Sequence, residues 1–315
     1  MLAARNRRRN SRCSGAGAGL AKLNAERMLV HGGGTVNWNR WKHAGARAAS
    51  YLEQTAAAVR PDSVDVLDLG PHADRHSSLP RVAYIYTICS QQKPTELDEP
   101  ILYGDNVRNL LPTVLHPNEV LDGAVVAPYW NLGAETYSIQ NHPMVTELYR
   151  RHGREFMFGG VIAIVAAENE AQRRRNAMMA ATLARETLAA DAVIITKYGG
   201  GIPESVAMET YDACLELGMK GVIVIWTHGG DGRIEGSLTF MSPRADAVVS
   251  CGITDQTVEL PAVSRVIGSA AFGPVMTADR GSEIYDSHGP IRLTQQMLAG
   301  AIDQLGANRL SIEEY

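Results

Sequence analysis

Six short runs rich in valine and isoleucine constrain this chain more than any other feature of it. They are VAYIYTIC (82–89), AVVAPYW (124–130), GVIAIVAA (160–167), AVIIT (192–196), GVIVIWT (221–227) and AVVSC (247–251). Successive positions in each are apolar, so both faces must be buried, as in a parallel sheet covered on both sides. Segments with helical character lie between them. Pro143 suits the first turn of a helix that runs through Arg151 and ends at Gly153. Residues 170–189 are rich in alanine, methionine and leucine and carry a solvated patch at Arg173, Arg174 and Arg175. A third helix, 203–217, sets Met208, Tyr211 and Leu215 on one face and stops at Gly218. A last one is expected over 291–305, before Gly306. This alternation predicts an α/β fold with a doubly wound, mostly parallel sheet. At 315 residues it is long enough to divide into two sub-lobes.

The segments before residue 81 read differently. Residues 1–27 are arginine-rich and acid-poor and have no periodicity. A transit peptide shares that composition, but the plainer expectation is a disordered arm, or an upstream start with Met28 as the true first residue. Residues 28–80 are expected to pack a helix and a strand on the α/β domain of residues 81–315. The helix spans 39–58, with Trp41, Ala44, Ala48, Tyr51 and Leu52 as a weak apolar stripe interrupted by Gly45; the strand spans 62–71.

Composition excludes several classes of function. Hydrophobic residues at 45% and charged residues at 20% exclude disordered and collagen-like chains. A net charge of −4 leaves no basic field for nucleic acid. No apolar stretch reaches the roughly 18 residues of a membrane span. Cys13, Cys89, Cys214 and Cys251 are unevenly spaced and read as reduced thiols, so a cytoplasmic location is expected.

Ligands of doubly wound sheets bind beyond the carboxyl ends of the strands, which singles out six loops. They begin at Cys89, Tyr129, Glu168-Asn169, Lys197, His228 and Cys251. Lys197 either reaches solvent or, when desolvated, has a lowered pKa and can form a Schiff base with a carbonyl. Gly199, Gly200 and Gly201 are either a tight turn or a backbone cradle for a carboxylate at a helix N-terminus. Glu204 lines the same cleft or complements the helix dipole. Cys89 and Cys251 are nucleophile or redox candidates if a following helix stabilises the thiolate, and otherwise small buried residues; Cys214, mid-helix, is core packing. His228 is a candidate general acid or base with Asp231 close enough in sequence to orient it. His72 and His76 have the spacing of two zinc ligands but lack an adjacent glutamate and sit between Gly-Pro and Ser/Pro signals, so no metal site is expected. His116 and His142, each followed by proline, read as turn residues.

Taken together and in order, several segments resemble the precursor subunit of component B of the glycine/sarcosine/betaine reductases, with the D-proline reductase precursor in the same group. They are YGDNVRNLLPTVLHPNEVLDGAVV (103–126), TYSIQNHPMVTELYRRHGREFMFGGVI (136–162), ELPAVSRVIG (259–268) and LGANRLSIEEY (305–315), with Glu168-Asn169 and the turn 199–203 in support. The similarity covers about 35–315 and matches the C-terminal two-thirds of longer precursors. The resemblance implies an oxidoreductase of amino-acid metabolism, working in a hetero-oligomer with a selenoprotein-B-like subunit. Members of the family cut themselves at a cysteine after the DGAVV strand; the new terminus becomes a pyruvoyl group that captures the substrate amine. Here the corresponding loop, 127–133, reads APYWNLG and holds no cysteine, serine or threonine; Thr136 and Ser138 come after it. The expectation is therefore a reductase-like protein that acts on a small amino acid or amine without processing itself to a pyruvoyl group. The alternative is a non-catalytic binding or partner subunit. A third reading, cleavage before Cys89 or Cys251, would place the cofactor elsewhere in the chain.

Overall fold

A computed structural model of the chain describes residues 47, 48, 51, 54, 65–70, 78–88, 102–103, 110–125, 139–167, 169–197, 201–227, 238–253, 257–266, 270–272, 285–294 and 305. The chain divides into two units, 1–68 and 69–315. In the first, Arg47, Ala48, Tyr51 and Gln54 are helical, within the expected 39–58 helix. The strand expected over 62–71 is not seen where the chain is described, since 65–70 have no regular structure.

The second unit is built on six strands: β1 (Arg81–Ile88), β2 (Thr113–Leu115), β3 (Met157–Val165), β4 (Ala192–Lys197), β5 (Lys220–Thr227) and β6 (Val248–Ile253). Their order across the sheet is β2-β3-β1-β4-β5-β6. Neighbours are parallel except β2, which runs antiparallel along β3. Among the described residues four α-helices accompany them: α1 (Pro117–Leu121), α2 (Pro143–Arg151), α3 (Glu170–Thr182), continued by a π-helical turn over Leu183–Thr187, and α4 (Ile202–Glu216). The expected α/β fold with a mostly parallel sheet is what forms.

The two faces are covered by different helices. On one, Ala83, Ile85, Ile162, Ile164, Val193, Ile195 and Ile223 pack against Ala180, Ala181, Val206, Met208 and Tyr211 of α3 and α4. The alanines of α3 let it approach closely, which its weakly amphipathic sequence does not advertise. On the other, Tyr84 and Tyr86 stack at 6.0 Å and both meet the ring of His142, the residue at the N-cap position of α2. Tyr149 of α2 packs edge-on against Phe158 of β3 at 5.7 Å.

Five of the six apolar runs are sheet strands. The sixth, 124–130, is not one where it is described: Val125 makes a single bridge to Leu102, and 126–130 lie outside the described residues. The segment expected to begin a helix at Ile291 is instead β10 (Ile291–Thr294), antiparallel to β7 (Thr257–Leu260). Short strands β8 (Ala271–Phe272) and β9 (Tyr285–Asp286) form a further pair. Among the described residues no helix is long and apolar enough to cross a membrane.

Candidate functional site

Strand order picks out one place on this sheet. In chain order the parallel strands β1, β3, β4, β5 and β6 are arranged with β3 and β4 on opposite sides of β1. Their connections therefore leave β1 and β4 in opposite directions, which makes the carboxyl ends of those two strands the switch point at which sheets of this kind hold their ligands. Side-chain chemistry changes along the same pair. Near their amino ends Val82 and Ala83 lie opposite Ala192 and Val193; near their carboxyl ends Tyr86 and Thr87 lie opposite Thr196 and Lys197. Thr87, Thr196 and Lys197 are all buried.

Lys197 is on the α3/α4 face. Its Nζ lies 2.9 Å from Oε1 of Glu204 in the first turn of α4, and both side chains are 1% exposed. The other carboxylate oxygen, Oε2, accepts the backbone N–H of Thr239 at 2.9 Å and the Thr239 hydroxyl. Burial alone would raise the Glu204 carboxyl, but the Lys197 charge and the Thr239 hydrogen bonds outweigh it and hold the group below the ordinary carboxylate range. Thr87, the register partner of Lys197, is buried with no hydrogen-bond partner for Oγ1 among the described residues.

Polar groups on the opposite face are neutral. Tyr84 Oη lies 3.1 Å from His142 Nε2 and also bonds Thr196 Oγ1. Burial pushes the His142 imidazole down to about 3, so it is neutral at any physiological pH. A neutral imidazole has one donor and one acceptor nitrogen. His142 Nδ1 is buried without a partner among the described residues. An acceptor Nδ1 avoids stranding a buried N–H, which puts the proton on Nε2, facing Tyr84.

These contacts sort the residues expected from sequence. Lys197 and Glu204 come together, and Glu204 does more than complement a dipole. Asn169 is exposed and caps α3, with Oδ1 accepting the Gln172 N–H at 3.0 Å. Gly201, at φ 76°, is the N-cap of α4. Pro203 has no N–H, and the Glu204 and Ser205 N–H groups turn back to the Gly201 carbonyl, so this helix start has few donors left for an anion. Cys251 lies inside β6 rather than at its end, and its thiol donates to the Ile225 carbonyl at 3.1 Å. The chain goes on to Ile253 as strand, so no helix directly follows the sulfur. Cys214 is buried, as expected of core packing. His116 caps α1 through Nδ1. Cys89, Glu168, Gly199, Gly200, His228 and Asp231, the pair His72 and His76, and the 127–133 loop lie outside the described residues.

Sequence reasoning passed over Thr87, Thr239, Tyr84 and His142. Tyr84 and Thr87 were visible as polar positions inside an apolar strand; for Thr239, 35 residues from Glu204, no local signal exists. Among the described residues no cluster of three His, Cys, Asp or Glu side chains could hold a metal ion. An open apolar groove beside β7 and β10 is lined by Glu259, Leu260, Pro261, Pro290, Ile291 and Arg292, with its two charges paired at 3.1 Å.

Comparison with known proteins bears on the whole chain. The family of glycine/sarcosine/betaine reductase component B subunits matches residues 36–313. Component B subunits alpha and beta of the glycine reductase complex of Acetoanaerobium sticklandii are 28% identical over 278 residues, which is 86% of this chain and 64% of the relative. The sarcosine reductase complex component B subunit alpha of Peptoclostridium acidaminophilum is 30% identical over 280 residues, with coverage of 86% and 64%. The betaine reductase complex component B subunit alpha of the same organism is 31% identical over 235 residues, 73% of this chain and 52% of the relative. The chain thus spans slightly under two thirds of the first two relatives. No solved structure matches. With the family matched over nearly its whole length, this chain belongs to the glycine/sarcosine/betaine reductase component B subunits.

Proposed function

We propose that this chain is a component B-type subunit of a reductase complex and binds a small amino acid or related amine in the crevice beyond β1 and β4. The observation that carries this reading is the Lys197–Glu204 pair at that edge, with both charges buried. Buried opposite charges are retained at a cost in desolvation. A small zwitterion can replace their mutual contact with two matched ones, its carboxylate on Lys197 and its ammonium on Glu204. Cys89 and His228 follow β1 and β5 in sequence and supply a thiol and an acid–base group in this reading. Glu168, Gly199, Gly200 and Asp231 also follow strands of the same sheet in sequence and are candidates for ligand contact in this reading.

The residues of the 127–133 loop do not fit a pyruvoyl group. Forming one from the chain requires a cysteine or serine, whose Cβ thiol or hydroxyl takes the acyl group as an ester and then leaves by β-elimination, and APYWNLG has neither residue; the Tyr129 hydroxyl is on its ring and cannot serve. No step is assigned to such a group here, and the chain is expected to stay intact. The mutual neutralisation of Lys197 and Glu204 also supports a second reading, a binding subunit whose reactive groups come from a partner.

Calorimetric titration with glycine, sarcosine, betaine and D-proline, beside intact-protein mass spectrometry, tests the proposal. Expected are heat with at least one zwitterion, its loss in Lys197→Met, and a single full-length mass. Absence of binding by all four overturns the site, and two fragments with a blocked new terminus restore self-processing. Activity of the chain alone favours the enzyme reading; activity only with a co-expressed partner favours the second.

A further inference from the structure

The two oxygens of Glu204 are not equivalent. Oε1 meets Lys197 Nζ at 2.9 Å, and Oε2 takes two hydrogen bonds from one residue, the N–H and hydroxyl of Thr239. Thr239 lies between β5 and β6 and is itself exposed, so it closes the solvent side of a pair that is 1% exposed. The other acidic groups of α4 beyond its first turn are engaged elsewhere: Glu209 with Arg173, Asp212 with the Ser242 hydroxyl, and Glu216 with Arg244.

This asymmetry has a chemical consequence that rests on the site proposed above. When a ligand carboxylate takes Lys197, Glu204 loses its internal counter-charge while still buried. An unpartnered buried carboxylate is costly, and the two Thr239 donors are the contacts that persist. They keep Oε2 fixed and leave Oε1 as the oxygen that changes partner. We propose that Thr239 is a positioning residue of this site: its paired N–H and hydroxyl anchor Glu204 through Oε2, so that Lys197 is held as an ammonium ion and exchange with a zwitterionic ligand takes place at Oε1. A lysine held in that way binds carboxylates and does not attack carbonyls, so Thr239 decides between the two chemistries open to Lys197.

The test uses full-length protein and the variants Thr239→Val, Thr239→Ser and Glu204→Gln, with two readouts. The first is the affinity for the zwitterion that binds best. Thr239→Val, which loses the hydroxyl, is expected to bind about tenfold more weakly or worse, the effect of one charge-assisted hydrogen bond, and Thr239→Ser is expected to match the unmutated protein. The second needs no ligand. Reductive methylation with formaldehyde and an amine borane labels lysines that present a free amine, with exposed Lys220 as the internal reference. Lys197 is expected to resist labelling in the unmutated protein and in Thr239→Ser. It should label several-fold faster in Thr239→Val, and in Glu204→Gln, where the counter-charge is gone. Urea midpoints confirm that each variant is folded. The proposal is overturned if folded Thr239→Val matches the unmutated protein in both readouts, or if Thr239→Ser is as impaired as Thr239→Val. Failure of every zwitterion to bind would sink the site instead, while the labelling would still report on Thr239.

Discussion

Thr196 and Lys197 are consecutive residues of one strand, and each enters a different face of the sheet. On the α2 side the buried polar atoms form a neutral chain from His142 through Tyr84 to Thr196. On the α3/α4 side they form an ion pair, Lys197 with Glu204, braced by Thr239. Burial is equally complete on both sides, so depth alone did not choose the chemistry. The difference is in what each arrangement can do. A neutral chain lets tyrosine and histidine fill space without a buried charge, whereas an ion pair keeps two opposite charges at the carboxyl edge of the sheet, which is what the proposed ligand exchange would use.

The largest effect should come from breaking the charged side. Lys197→Ala strands the Glu204 carboxylate, and a loss of about 3–5 kcal/mol is expected in urea unfolding. Replacing both partners with apolar residues, as in Lys197→Met with Glu204→Leu, should return most of it; a double variant no better than the single one would mean the pair has a packing role beyond its charges.

Acid should weaken the neutral side next. The unfolded chain protonates His142 below about 6.5, and the folded protein not until about 3. Between these values the unfolded state binds more protons, so the stability present above 6.5 is lost as the pH falls, by about 1.4 kcal/mol per pH unit. His142→Phe should remove that part of the slope. A His142 imidazole that titrates by NMR near pH 6 would refute the assignment.

Tyr84→Phe removes the hydroxyl between His142 and Thr196 and should cost about 1–2 kcal/mol in unfolding. The smallest signal concerns the thiols. Burial raises the Cys214 thiol to about 12, so a thiol reagent at pH 8 should leave it unmodified until the protein unfolds.

The two sides also differ in how far they could be read from sequence. Five parallel strands were legible because burial in a covered sheet demands Val/Ile runs, α2 and α4 because proline, glycine and apolar spacing mark them, and α3 through its alanine, methionine and leucine content. Strand β2 was missed because three residues on an edge carry too little pattern. Ile291 and Leu293 looked helical, but β10 owes its pairing to β7, more than thirty residues away. Lys197 was visible as a cation ending an apolar strand, whereas the hold of Thr239 on its partner Glu204 is a tertiary contact. The turn before Pro143 was a local signal at His142, but its burial comes from Tyr84 and Tyr86, more than fifty residues earlier.

Strand β3 is MFGGVIAIV, nine residues without a charge, a composition suited to fibril formation. Two features guard its outer edge. Thr113–Leu115 occupies Val161 through Ala163 as an antiparallel partner. Ahead of that cover, the register slips and Gly160 adopts φ 137°, a kink that spoils the template for an incoming strand. A side chain at Gly160 would be strained at that angle. Three otherwise unremarked residues and one glycine thus guard the chain against self-association through this strand.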